Sequence, residues 1–162
     1  VPLTILIVIA SARYYVSTTD LLEEIVEMSK IYHHPVQIYY EDTDHSGVVY
    51  HPNFLKYFER AREHVLGSDI LAQLWNEQGL GFAVYKANMT FQDGVEFAEI
   101  CDIRTSFELD GKYKTLWRQE VWRKEATKPA VIGEIEMVCL DTGKRLQPVP
   151  DVVLNAMLGP SI

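Results

Sequence analysis

The sequence predicts an α+β fold, a curved antiparallel sheet wrapped around one central helix. Three observations carry this. Asn53 to Leu66 hold a strong helical period, the chain after Gly79 resolves into four runs of alternating polarity, and Asp-Gly pairs punctuate those runs. Helical and strand periods differ, so the pattern itself separates the element types. One strand, one long helix and then four antiparallel strands bury their apolar faces together only if the sheet closes over the helix.

The helix is the clearest element. Phe54, Tyr57, Phe58, Ala61 and Val65 recur at helical intervals, and Lys56, Glu59, Arg60 and Glu63 occupy the opposite face. Pro52 suits its first turn, where a missing N–H has no partner to lose. Gly67 ends it, and Ser68-Asp69 can cap a shorter helix, Ile70 to Gln78. Before it, Pro35 to Glu41 alternates, with Val36, Ile38 and Tyr40 on one face and Gln37, Tyr39 and Glu41 on the other, a first strand. After it, strands are expected over Phe82–Phe91, Glu99–Leu109, Thr115–Lys124 and Val131–Leu140. Asp93-Gly94, Asp110-Gly111, Lys128-Pro129 and Asp141-Thr142-Gly143 separate or end them, and Asp-Gly between alternating runs is a hairpin signal. Asp151 to Leu158 reads as a last helical turn or two.

Residues 1–31 read as an N-terminal extension and 32–162 as the domain. The β-branched run Ile5, Ile7, Val8, Ile9 precedes Ser17-Thr18-Thr19-Asp20, and Asp20 with Glu23 has the form of a capping box. Leu21, Leu22, Ile25 and Val26 then predict a short helix to Ser29, and Met28 is a candidate true start. Leu3 to Ala10 is too short for a membrane span, which needs about 20 apolar residues. No basic segment precedes it, so no signal peptide is expected.

At 162 residues, with 48% hydrophobic and 23% charged, the chain has the composition of a folded domain. A net charge of -8 argues against general nucleic-acid binding, which needs clustered cations, but leaves room for a local basic patch. Cys101 and Cys139 sit in apolar, strand-like runs without metal-ligand spacing. Buried free thiols in a reducing compartment, hence a cytoplasmic location, are expected.

Chemistry concentrates in Asp42-Thr43-Asp44-His45-Ser46-Gly47. The opening resembles a calcium loop, but the twelfth position is Asn53 where a bidentate Glu is needed, Pro52 precedes it, and a strand enters the loop. His33, His34 and His64 do not fall at metal-ligand spacing either, so no metal is expected. Asp, Ser and Gly also simply make turns. A carboxylate ahead of a helix N-terminus has a further use. It stays ionised, as the helix dipole favours negative charge, and can act as a nucleophile or as a general base on water. Backbone N–H groups around Gly47, Val48 and Val49 can hold a developing oxyanion, and Gly47 lets substrate approach closely. Such terms contribute about 10²–10³ for an oxyanion donor and about 10²–10⁴ for a positioned acid or base.

The run from Tyr40 through Glu-Asp-Thr-Asp44-His-Ser-Gly-Val-Val-Tyr-His51 to Phe58-Glu-Arg-Ala-Arg62 closely resembles the 4-hydroxybenzoyl-CoA thioesterase superfamily. It looks most like the bacterial acyl-CoA thioesterases associated with the Tol–Pal system. The resemblance implies a hotdog fold over residues 34–158 and hydrolysis of an acyl-CoA to free acid and CoA, without metal or organic cofactor. It also implies a homodimer or homotetramer with active sites at subunit interfaces. Carried over by position, the catalytic Asp falls on Asp44, not Asp42, and its companions on Tyr40 and His51. Basic residues for the CoA end fall on Lys112 and Lys114, and Thr115 falls where a small hydroxyl faces the neighbouring subunit's site. The extension of 30 or so residues departs from the family.

Two rivals keep the fold: a thioesterase acting on acyl groups carried by acyl carrier protein, and a non-catalytic module that binds acyl-CoA or serves as a scaffold for envelope machinery. The charge of -8 weighs against an acidic carrier protein. Retention of Asp44 with Tyr40 and His51 weighs against a non-catalytic module. Phe54, Tyr57, Phe58 and Trp75 suit either an acyl pocket or the core. The acyl chain, dimer against tetramer, and covalent against general-base attack stay open at this level.

Overall fold

The computed structural model describes residues 4–9, 12–17 and 30–158. The chain divides into two units, Val1–Lys30 and Ile31–Ile162. In the first, β1 (Thr4–Ile9) and β2 (Ala12–Ser17) form an antiparallel hairpin, Thr4 opposite Ser17 and Ile9 opposite Ala12. The capped helix expected from Asp20 to Ser29 lies outside the described residues.

The second unit runs β3 (Tyr32–Gln37), α1 (Asn53–Leu66), α2 (Ser68–Gln73) with a π-type turn at Leu74–Gln78, then β4 (Gly81–Phe91) and β5 (Ile100–Asp110). It continues with β6 (Lys114–Trp122), β7 (Val131–Leu140), β8 (Leu146–Gln147) and α3 (Asp151–Leu158). The sheet order is β3-β5-β6-β7-β4, with β8 beside β7 and every pair antiparallel. Helix α1 lies on one face. Its Phe54, Tyr57, Phe58, Ala61 and Val65 are buried with the alternate residues Ile103, Trp117, Val121, Val131 and Ile135 of the strands. Burying one such large side chain contributes about 1.5–3 kcal/mol, so this stripe holds the helix in place.

The row of the sheet beneath the helix centre is Thr105, Gln119, Gly133 and Met89, in register across β5, β6, β7 and β4. Gly133 is required there. A Cβ at this position would lie 2.9 Å from Phe58 Cδ2, closer still to Cε2, and 3.2 Å from Met89 Sδ. Beside it, fully buried Gln119 donates from Nε2 to the Phe58 carbonyl (2.9 Å) and to Thr105 Oγ1 (3.1 Å). Its Oε1 accepts from Arg62 Nη1 at 2.6 Å, and Arg62, itself buried, also pairs with Glu59. Buried polar groups are tolerated when they bond one another in this way, and within this cluster Arg62 Nε is left without a partner among the described residues. The signal for both was present: Arg62 is four positions from Phe58, and Gln119 alternates with inward Trp117 and Val121.

The first strand departs from expectation. It starts at Tyr32 and ends at Gln37, not Pro35 to Glu41. Val36 and Ile38 are buried as expected, but Tyr40 sits in a 3₁₀ turn, Tyr40–Asp42, and is 82% exposed. The Asp42 carboxylate accepts the Tyr39 N–H (2.8 Å) while the Asp42 N–H bonds the Tyr39 carbonyl (3.0 Å). Such local side-chain bonds compete with the ladder and end it. Pro35 is tolerated inside β3 because this is an edge strand with one side unpaired. Among the described residues, no helix is long and apolar enough to cross a membrane.

Candidate active site

Two small antiparallel bridges build the loop between β3 and α1. Thr43 pairs with Val49, closed by Asp44 N–H to Val48 O (2.9 Å) and Tyr50 N–H to Asp42 O (2.8 Å). Val48 pairs with Glu96, and the Val49 N–H reaches Val95 O at 2.8 Å, fastening the loop to the segment before β5. From the first turn of α1, buried Asn53 donates its Nδ2 to Asp42 O (3.0 Å). At the tip, Gly47 takes φ 84, a left-handed conformation that suits glycine, and nothing lies within 4 Å of where a Cβ would stand. The loop is therefore held from the helix and the sheet while its tip stays open.

Asp44 is exposed at this tip. Its Oδ1 accepts both the Ser46 hydroxyl (2.5 Å) and the Ser46 backbone N–H (2.8 Å). These two donors hold its carboxyl below the usual carboxylate range, with His45 and His51 adding smaller favourable charge. The carboxylate is ionised at neutral pH, but not for the reason its place in the sequence suggests. Helix α1 starts only at Asn53, and its first amides are already taken: Asn53 N–H by Tyr50 O (2.9 Å), Phe54 by His51 O (3.4 Å) and Leu55 by Pro52 O (3.2 Å). Ser46, legible in the sequence only as a turn residue, supplies what the helix terminus does not.

The backbone donors also sort themselves. The Gly47 N–H closes the turn onto Asp44 O (3.0 Å) and the Val49 N–H is bonded to Val95. The Val48 N–H has no acceptor among the described residues. Of the expected pair Gly47 and Val48, only Val48 offers an open donor. His51 lies between Tyr50 and Phe91, its ring centroid 4.9 and 6.1 Å from theirs. Tyr40 meets Phe97 edge to face at 6.0 Å. Phe97 directly follows the Glu96 that pairs with Val48, so long-range pairing brings it to the loop, and nothing local in the sequence singles it out. The segment that carries it is braced. Ala98 takes φ 70, and Arg123 bonds Glu99 (2.9 Å) and the Gly94 carbonyl (2.9 Å).

Lys112, Lys114 and Thr115 lie elsewhere. Strand β5 begins at Ile100, beside the Asp44 loop, and runs eleven residues to Asp110 at the hairpin. At about 3.3 Å per residue this is on the order of 30 Å. The hairpin therefore does not meet Asp44 of its own chain. Lys114 is committed to Asp110 (2.7 Å) and Glu136 (3.2 Å), which raise its pKa. Thr115 is buried and accepts the Trp117 indole N–H at 2.9 Å. Lys112 is exposed, with no ion pair among the described residues.

The other candidates also fall away from Asp44. Phe54, Tyr57 and Phe58 are core. Trp75 borders a cleft of about 190 Å³ with Arg62, Leu66, Phe82 and Met137, towards the other end of α1. The His34 and His64 rings meet at a tilt, 5.2 Å between centroids and 48° between planes, a pairing absent from the sequence pattern.

A model of the thioesterase-like superfamily matches residues 39–157, from the start of the Asp44 loop into α3. The chain belongs to this superfamily. Among its relatives, the acyl-CoA thioesterase YbgC of Haemophilus influenzae is 32% identical over 117 residues, 71% of this chain and 84% of that protein. The acyl-CoA thioester hydrolase YbgC of Escherichia coli O6:H1 is 31% identical over 111 residues, 66% of this chain and 80% of its own. In structure, the chain resembles a 1,4-dihydroxy-2-naphthoyl-CoA thioesterase from Synechocystis, with a TM-score of 0.73 at 19% identity over 79% of this chain and 96% of the other. That likeness concerns architecture, and the architecture is the hotdog fold. With relatives of 31–32% identity that are thioesterases, the chain is a thioester hydrolase, and an ionised carboxylate and an open amide in one loop are a constellation suited to that chemistry.

Proposed function

We propose that this thioesterase hydrolyses an acyl-CoA thioester to free acid and CoA, with Asp44 as nucleophile or general base. One observation carries the reading: among the described residues nothing donates to the second carboxylate oxygen of Asp44, Oδ2, and the Val48 N–H in the same turn has no acceptor. In the general-base form, Oδ2 takes a proton from water as the water oxygen bonds the thioester carbon. The C–S bond then breaks, and the sulfur leaves as the CoA thiolate. In the nucleophilic form, Oδ2 itself bonds that carbon, the C–S bond breaks as the sulfur leaves as CoA thiolate, and water then opens the resulting mixed anhydride to the free acid and the Asp44 carboxylate. In both forms the Val48 N–H donates to the carbonyl oxygen as negative charge grows on it. His51, steadied between Tyr50 and Phe91, orients the water or the carboxylate, and Tyr40 lines the acyl side.

The exposure of Tyr40 and Asp44 supports an active site completed by a second copy of the chain, in a homodimer or homotetramer. In such an assembly the separation between hairpin and loop ceases to matter, because the partner subunit's Lys112 would face the CoA phosphates as a point charge. Lys114 and Thr115 would shape that hairpin from within. Two unpaired, buried thiols, Cys101 and Cys139, support a reducing, cytoplasmic setting. Association with envelope machinery rests on the motif alone and is tested by co-purification from cross-linked cells.

The decisive experiment is turnover of wild type and Asp44→Asn with short, long and aromatic acyl-CoA thioesters. The variant is expected to fold normally and to lose at least about 10² in kcat. Hydrolysis at the wild-type rate would remove Asp44 from the reaction.

A further inference from the structure

We propose that Ser46 is a positioning residue for Asp44, fixing one carboxylate oxygen so that the other is the one that reacts. This rests on the reading of Asp44 given above. Both Ser46 bonds converge on Oδ1, from the hydroxyl at 2.5 Å and from the amide at 2.8 Å. An oxygen that accepts two hydrogen bonds has little lone-pair density left for a proton or an acyl carbon, so reactivity is confined to Oδ2. The backbone enforces the arrangement. The Asp44 N–H is bonded to Val48 O (2.9 Å), the Gly47 N–H to Asp44 O (3.0 Å), and Gly47 at φ 84 closes the turn. Rotating the carboxylate away would break both Ser46 bonds at once.

The same bonds set the charge state. The charged groups that act on Asp44 are His45 in the turn and His51 ahead of α1, and the strongest influence comes from Ser46. A donor to the ionised form lowers a carboxyl's pKa, so losing the hydroxyl moves that pKa upward. Ionised Asp44 is required in either mechanism, so the acidic limb of the rate profile must follow it.

The test is kcat and kcat/KM against pH for wild type, Ser46→Ala, Ser46→Thr and Asp44→Asn on one acyl-CoA. Ser46→Ala is expected to lower kcat about threefold to tenfold, the loss of a charge-assisted hydrogen bond. KM should change little, and the acidic limb should move to higher pH. Ser46→Thr, which keeps the hydroxyl, should restore both. An acidic limb that stays in place in Ser46→Ala overturns the proposal even if the rate falls, because a merely structural loss would not move it. That result leaves Asp44 standing so long as Asp44→Asn is inactive. An active Asp44→Asn would overturn both readings together.

Discussion

Replacing Gly133 by alanine probes the packing that holds the Asp44 loop. In an ordinary strand this change is favourable by roughly 0.5–1 kcal/mol, since glycine loses more backbone freedom on folding. Here the sign reverses. The new Cβ would stand 2.9 Å from Phe58 Cδ2 and 3.2 Å from Met89 Sδ, with the Cε2 of the same ring nearer still. Phe58 is fully buried, and its carbonyl is tied to Gln119, so the ring can yield only if α1 moves. Overpacking of this kind costs about 1–3 kcal/mol. For a unit of this size that lowers Tm by roughly 3–12 °C. Thermal and urea unfolding of Gly133→Ala, Phe58→Leu and the double variant form a cycle. The double variant should be more stable than the sum of the two single losses predicts, because a smaller Phe58 replacement makes room for the methyl. A Gly133→Ala protein as stable as wild type would refute the reasoning, and α1 would then be free to shift without cost.

Two further outcomes follow from the same structure. Gln119→Leu removes the acceptor of buried Arg62 and the donor to the Phe58 carbonyl, and should cost about 2–4 kcal/mol in urea unfolding; a loss within experimental error would mean that water replaces the amide. Lys112→Ala should raise KM for acyl-CoA about threefold to tenfold with kcat unchanged, an effect that fades as salt screens the charge; a fall in kcat at constant KM would exclude a phosphate contact.

The sequence by itself determined the α+β layering, the bounds of α1 and the buried stripe Phe54, Tyr57, Phe58, Ala61, Val65, because helical and strand periods are local properties of the chain. Val131–Leu140 is a strand end to end as its alternation requires. The motif around Asp44 was equally legible, since each of its residues lies within one short segment. What a one-dimensional pattern cannot carry is which atoms meet. The first strand ends earlier than its alternation predicts because Asp42 captures the Tyr39 amide and ends the ladder before Tyr40. Alternation there was a true property of Val36 and Ile38 and a coincidence at Tyr40. Periodicity places Arg62 and Gln119 at inward positions despite their polar type, but that they bond each other, at 2.6 Å, is decided only when helix and sheet meet. Likewise Phe97 reaches the loop through the bridge between Val48 and Glu96, separated by almost fifty positions along the chain. Folding also settled why Asp44 is ionised. The amides at the start of α1 are spent on its own first turn, and the two donors of Ser46, two residues away in sequence, are brought by the turn onto a single oxygen.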